Sequence, residues 1–156
     1  MNKAIRSILP LAIILAVSAC CSEEGRKRAG AAGTQPVELP LGEIHRDESV
    51  PGMALVYSYV EGAVFEPKVE NVVCKDNHGD IGEVRIKWTA PEGVSFTRIS
   101  AAAANQEPKT WVDGGASGDQ VTGQWITSGS SLVLYNASTQ ARFAQIKIET
   151  TPCSAQ

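Results

Sequence analysis

Histidine and aromatic residues are scarce in this chain, and the shortage limits its chemistry. Two histidines, His45 and His78, and three each of Trp, Tyr and Phe are spread over 156 residues. Two cysteines without spaced histidines make a poor zinc site. No Gly-x-Ser-x-Gly elbow accompanies them, so a serine hydrolase has no anchor in the sequence. The acids are scattered over turns and outward strand positions, and no two form the facing pair that glycoside hydrolysis needs. A basic excess is missing too: 14 Lys and Arg stand against 17 Asp and Glu, which argues against a nucleic-acid partner. The longest greasy run, residues 8–17, interrupted by Pro10, is far short of the roughly 20 residues that cross a bilayer. No segment repeats its apolar residues with a 3.6-residue period. The alanine run 101–104 has helical propensity but is short and follows a strand directly.

What is present begins at the N-terminus. Lys3 and Arg6 precede the apolar run, which ends in Val17-Ser18-Ala19-Cys20. A charged start, a short apolar middle and small residues at the end describe a secretory signal. Val17-Ser18-Ala19-Cys20 resembles the lipobox of bacterial lipoproteins, an aliphatic residue and two small ones before a cysteine. The resemblance implies cleavage before Cys20, diacylglycerol on its thiol and acylation of the new amine. An ordinary cleavage site with an incidental cysteine, or an uncleaved N-terminal helix, is the competing reading. Each buried CH₂ contributes about 0.8 kcal/mol, so two or three acyl chains hold a protein at a membrane almost permanently. Cys21 in place of Asp resembles an outer-membrane sorting signal. The expected address is therefore the bacterial envelope, with membrane contact through the acyl chains.

Removing residues 1–19 leaves twelve basic side chains against seventeen acidic ones, so the folded part has no electrostatic pull toward anionic lipid. Residues 20–36 mix charges (Arg26-Lys27-Arg28) with Gly and Ala and have no apolar periodicity. Such a segment buries too little surface to offset backbone entropy and reads as a flexible tether. The domain is expected over residues 37–156. Cys74 and Cys153 both lie in it, and an exported chain meets an oxidising compartment, so they read as a disulfide. Closing a loop of about 80 residues stabilises by roughly 4 kcal/mol in the chain-entropy model. Cys21 is left over: free, acylated or paired between molecules.

Residues 37–44, broken by Pro40 and Gly42, read as a loose edge segment, and His45-Arg46-Asp47-Glu48 as loop. Residues 53–60 read as a strand, and 63–65 and 69–74 flank Pro67, which suits an edge or a kink. Glu83-Val84-Arg85-Ile86-Lys87-Trp88 alternates cleanly, with Val84, Ile86 and Trp88 on one face. Further strands are expected over 94–103, 109–112 (ended by Asp113-Gly114-Gly115), 120–126, 131–135 and 144–148. Short strands at roughly ten-residue spacing with Gly-rich turns indicate an all-β antiparallel sandwich.

Cys74, Gly79-Asp80-Ile81-Gly82 and the strand ending in Trp88 resemble the opening of a small immunoglobulin-like domain of bacteria. Gly114-Gly115-Ala116-Ser117-Gly118, Thr122-Gly123-Gln124-Trp125-Ile126 and residues 132–135 resemble its second half, and Ala144-Gln145-Ile146-Lys147-Ile148 its last strand. The resemblance places the immunoglobulin-like core at about 70–153. It implies an accessory domain without activity of its own, of the kind found beside glycosyl hydrolases and glycosyltransferases. No such enzyme module lies beside it here, so whatever it assists would be a separate protein.

The expected function is thus a non-enzymatic lipoprotein that binds or scaffolds an envelope protein or glycan, without cofactor or metal. Two alternatives are a carbohydrate-binding module and a subunit of an envelope secretion or pilus assembly. Trp88 and Trp125 read as core. Trp111 and Tyr135 are the candidate sugar platform. The turn Asp76-Asn77-His78-Gly79-Asp80 is rich in oxygen ligands but lacks the spacing of an EF-hand, and an ordinary β-turn is the favoured reading.

Overall fold

A computed structural model describes residues 39–153. The signal segment, Cys20, Cys21 and the tether lie outside these residues. Among the described residues there are nine strands: β1 (His45–Val50), β2 (Met53–Tyr59), β3 (Val64–Lys75), β4 (His78–Thr89), β5 (Phe96–Ala102), β6 (Lys109–Gly115), β7 (Ser117–Val121), β8 (Ser131–Asn136) and β9 (Arg142–Thr150). They form two antiparallel sheets, a six-stranded one in the order β1-β2-β9-β8-β5-β6 and a three-stranded one in the order β3-β4-β7. The chain is an all-β antiparallel sandwich, as its alternation predicts.

Alternation also places the core. Val84, Ile86 and Trp88 of β4 point inward with Phe65 and Val69 of β3, against Leu55, Ile99, Leu132, Leu134, Ile146 and Ile148 of the larger sheet. The intervening residues of β4 and of the first half of β3 face out, which is the period of two expected of a sheet with one wet face. Pro67 sits within a single continuous β3, and β3 is an edge strand, where a missing N–H is tolerated. The β3–β4 hairpin turns on Asp76 and Asn77, with φ of 49° and 63°, between the paired residues Lys75 and His78. Two consecutive positive-φ residues are the signature of the tight turn whose twist matches its strands, and Asp and Asn tolerate it best.

Two expectations fail. His45-Arg46-Asp47-Glu48 is not loop but most of β1, paired His45 to Tyr57 and Arg46 to Val56. Charge is compatible with an edge strand, which it protects from pairing with other chains. Here Arg46 also reaches across β2 to Glu149 of β9 at 2.7 Å and holds that carboxyl below the usual carboxylate range. The second failure is Asp113-Gly114-Gly115, which does not follow a strand as a turn but forms its last three residues. β6 runs through it, and after Ala116 the chain enters β7 in the other sheet. β7 therefore covers 117–121 rather than 120–126, and Ile126 makes only an isolated bridge to Gly82.

The glycines there form a bed for Trp88. A Cβ on Gly118 would lie 2.2 Å from the indole, and one on Gly114 3.1 Å. The ring fills the corner where the chain crosses between sheets, and its Nε1 donates to Thr97 Oγ1 at 3.0 Å. Thr97, 1% exposed, donates in turn to the Gly115 carbonyl at 2.7 Å. Thr97→Val keeps the shape but leaves a buried indole N–H and a carbonyl unpaired. It is expected to cost about 1–3 kcal/mol, read as a lower urea midpoint at unchanged m-value.

Candidate functional site

The described surface offers three features with the makings of a site. The first is a stack of rings at the β1 edge of the six-stranded sheet. His45 of β1 lies against Tyr57 and Tyr59 of β2, with centroids 5.2 and 5.3 Å apart. Both tyrosines also touch the core. Partial burial, followed by the charges of Asp47 and Glu66, raises the Tyr57 hydroxyl's pKa. The stack fastens β1 to β2, with the imidazole spent on ring contacts.

The second is an apolar cleft of about 500 Å³ at one end of the sandwich, where Leu39 and Pro40 meet the loops after β2, β4 and β8. Val60, Val94 and Phe143 line it, and Glu61 is the one acid on its wall. Phe96 stands nearby with 65% of its surface exposed, its carbonyl held by Ala137 N of the β8–β9 turn at 3.1 Å.

The third is a groove of about 430 Å³ on the outer face of the six-stranded sheet. Its floor comes from β2, β9 and β8, three interior strands of that sheet. Val56, Ser58, Ser131, Val133, Gln145 and Lys147 line it. Strand alternation places these residues outward, because Leu55, Leu132, Leu134, Ile146 and Ile148 fill the inner face.

Trp111 and Tyr135, the candidate sugar platform, lie on β6 and β8, which flank β5 in the six-stranded sheet. Trp111 packs against the core cluster at the edge of β6. It occupies the bulge between Thr110, paired to Ser100, and Val112, paired to Ile99, and a bulge turns the extra side chain toward its neighbour's face. Tyr135 sits on the outward side of β8, opposite Arg98, which is paired with Asp113 at 2.7 Å. Trp125 is half-buried against the core, as expected, and its Nε1 donates to the Thr122 carbonyl.

Cys74 and Cys153 form the expected disulfide, with Cα atoms 6.4 Å apart. It ties the end of β3 in one sheet to the segment after β9 in the other. His78 pairs with Lys75 at the hairpin and bridges to Pro152, and Nδ1 lies 3.2 Å from the Asp76 carbonyl. Among the described residues no three His, Cys, Asp or Glu side chains converge as metal ligands.

Ser58, Gln145 and Lys147 were not visible as site residues in the sequence. Alternation puts Gln145 and Lys147 on an outer face, but only register brings Ser58 beside them. No family model, no curated protein and no solved structure matches this chain.

Proposed function

We propose that this chain is a bacterial envelope lipoprotein, held by acyl chains on Cys20, whose sandwich domain binds an envelope component without catalysing a reaction. The observation that carries the reading is Val17-Ser18-Ala19-Cys20 behind a basic start and a ten-residue apolar run. A domain held this way works by being near something, and its outer-face groove and end cleft are the concave surfaces with which it would do so. The membrane is the first partner, through the lipid, and an envelope protein or glycan the second. The outer membrane is the favoured address, from Cys21 at the position after the lipidated cysteine.

A second reading, a subunit of a larger envelope assembly, is favoured by the end cleft and the exposed Phe96 ring beside it. Apolar surface of that kind is a common mark of a protein–protein contact.

Replacing Cys20 with serine tests the anchor. The variant is expected to lose incorporation of labelled palmitate and to move almost entirely from the membrane pellet to the soluble fraction. Unchanged fractionation, with full expression, removes the lipoprotein reading.

A further inference from the structure

We infer that the groove on the outer face of the six-stranded sheet is a binding site for a sugar unit that carries a carboxylate. The site is two cross-strand rows of three side chains. Ser58, Gln145 and Val133 are in register across β2, β9 and β8, and Val56, Lys147 and Ser131 form the next row on the same face. Cross-strand neighbours stand about 5 Å apart and rows two residues apart about 7 Å, so the six cover an area close to that of one sugar ring. The pattern is diagonal. Hydroxyls occupy two opposite corners, valines the other two, and the amide and the ammonium run down the middle.

The polar groups are set as donors. Arg142 donates to Gln145 Oε1 at 3.1 Å, which turns Gln145 Nε2 toward Ser58, where it donates to Oγ at 3.4 Å. Ser58 is 2% exposed, so its hydroxyl lies on the groove floor. It accepts that long bond and keeps its own proton to give. The Lys147 ammonium makes no ion pair within 4 Å with any described residue, while Arg46, Arg85 and Arg98 all do. No carboxylate lines the groove. Glu149, the next residue along that face and within the field of Lys147, is taken by Arg46 at 2.7 Å. A cation among hydroxyl and amide donors, with its neighbouring acid so engaged, complements an anion rich in acceptors.

The valine corners and the exposed Ile44 at the rim add what a bare inorganic ion cannot use, an apolar contact for C–H faces or a methyl group. A peptide is disfavoured because β2, β9 and β8 are interior strands. Their backbone groups are committed to the sheet, so a main chain cannot add to it. Recognition must come from side chains alone, as with a ring of hydroxyls.

The choice of an envelope sugar rests on the lipoprotein reading, whereas the chemistry of the groove does not. N-acetylmuramic acid, with a carboxylate, a methyl-bearing acetamide and ring hydroxyls, is the probe that carries every feature. The experiment is a ¹⁵N-NMR titration of the full chain in detergent, with N-acetylglucosamine and inorganic phosphate as comparison probes. Saturable shifts at Ser58, Ser131, Gln145 and Lys147 are expected with N-acetylmuramic acid. The neutral sugar should bind about tenfold more weakly. Lys147→Gln, at an exposed position, should remove that preference and leave the rest of the spectrum in place.

Equal affinity for the neutral sugar, the same shifts from phosphate, or an unchanged Kd in K147Q would each overturn the proposal. So would the absence of shifts in the groove. Fractionation of the Cys20 variant does not depend on this groove, so failure of the anchor and failure of the site are separate results.

Discussion

Gly79→Ala is expected to destabilise the domain by about 3 kcal/mol or more. A Cβ at this position would stand 1.8 Å from the carbonyl oxygen of Gly52. The obstacle is backbone, which cannot swing aside as a flexible side chain can. Gly52 is itself pinned: its N–H donates to Pro152 O at 3.2 Å and its carbonyl accepts from Thr151 N at 3.1 Å. Gly79 N donates to Thr151 O at 3.2 Å, and Cys153 N to Asn77 O at 2.8 Å. The end of β9 is thus laced between the β1–β2 turn and the β3–β4 hairpin. Admitting one methyl group means parting these segments. Overpacking in a tight interior costs about 1–3 kcal/mol, and more where nothing can yield. Gly115→Ala is the control. Its added Cβ meets no atom of another residue closer than 3.9 Å, and its urea midpoint is expected within about 0.5 kcal/mol of the parent. A stable Gly79→Ala variant, at equal m-value, would mean that the contact with Gly52 relaxes freely.

Removing the disulfide should cost a similar amount for a different reason. Cys74 and Cys153 are 79 residues apart in sequence, and a cross-link over such a loop limits the unfolded chain by about 4 kcal/mol in the entropy model. The double variant Cys74→Ser, Cys153→Ser keeps the hydrogen bonds at that end, so it is expected to fold but to melt earlier. The loss should begin locally, with the amides of Thr151 and Cys153 exchanging ahead of those in β2 and β8. A double variant within about 1 kcal/mol of the parent would show that packing between the sheets suffices without the cross-link. A Cβ at Gly52 would lie 2.9 Å from Cys153 Sγ, so Gly79 and the disulfide share a neighbour. Their combined effect is not expected to be additive.

The two failed expectations show where a linear reading stops. β1 is polar along its length, and polarity is all that sequence reports of it. It is a strand because Tyr57, Tyr59 and Glu149, brought near by β2 and β9, give His45 and Arg46 partners. Gly114, Gly115 and Gly118 look like turn residues because glycine is most often needed where the backbone bends. In this fold two of them are needed for the space they leave, which the Trp88 indole occupies. A glycine that makes a turn and one that makes room are written identically.

The core-facing residues of β4 and β9, an edge or kink at Pro67, a turn within residues 76–80 and the partner of Cys74 are all legible in the sequence. Each depends on local alternation, on one residue's backbone preference, or on there being a single other cysteine in the domain. Trp111 and Tyr135 could not be placed together or apart by such reasoning, since a one-residue bulge in β6 falls at Trp111. The outer-face groove is further still from the linear code. Val133 and Gln145 come from two consecutive strands but Ser58 from one far away in the chain, and the register that aligns them is fixed by the hydrophobic residues on the opposite face. Burial of Leu55, Leu134 and Ile146 selects one pairing of strands, because a slip by one residue would turn every side chain over. The groove is the other side of that choice.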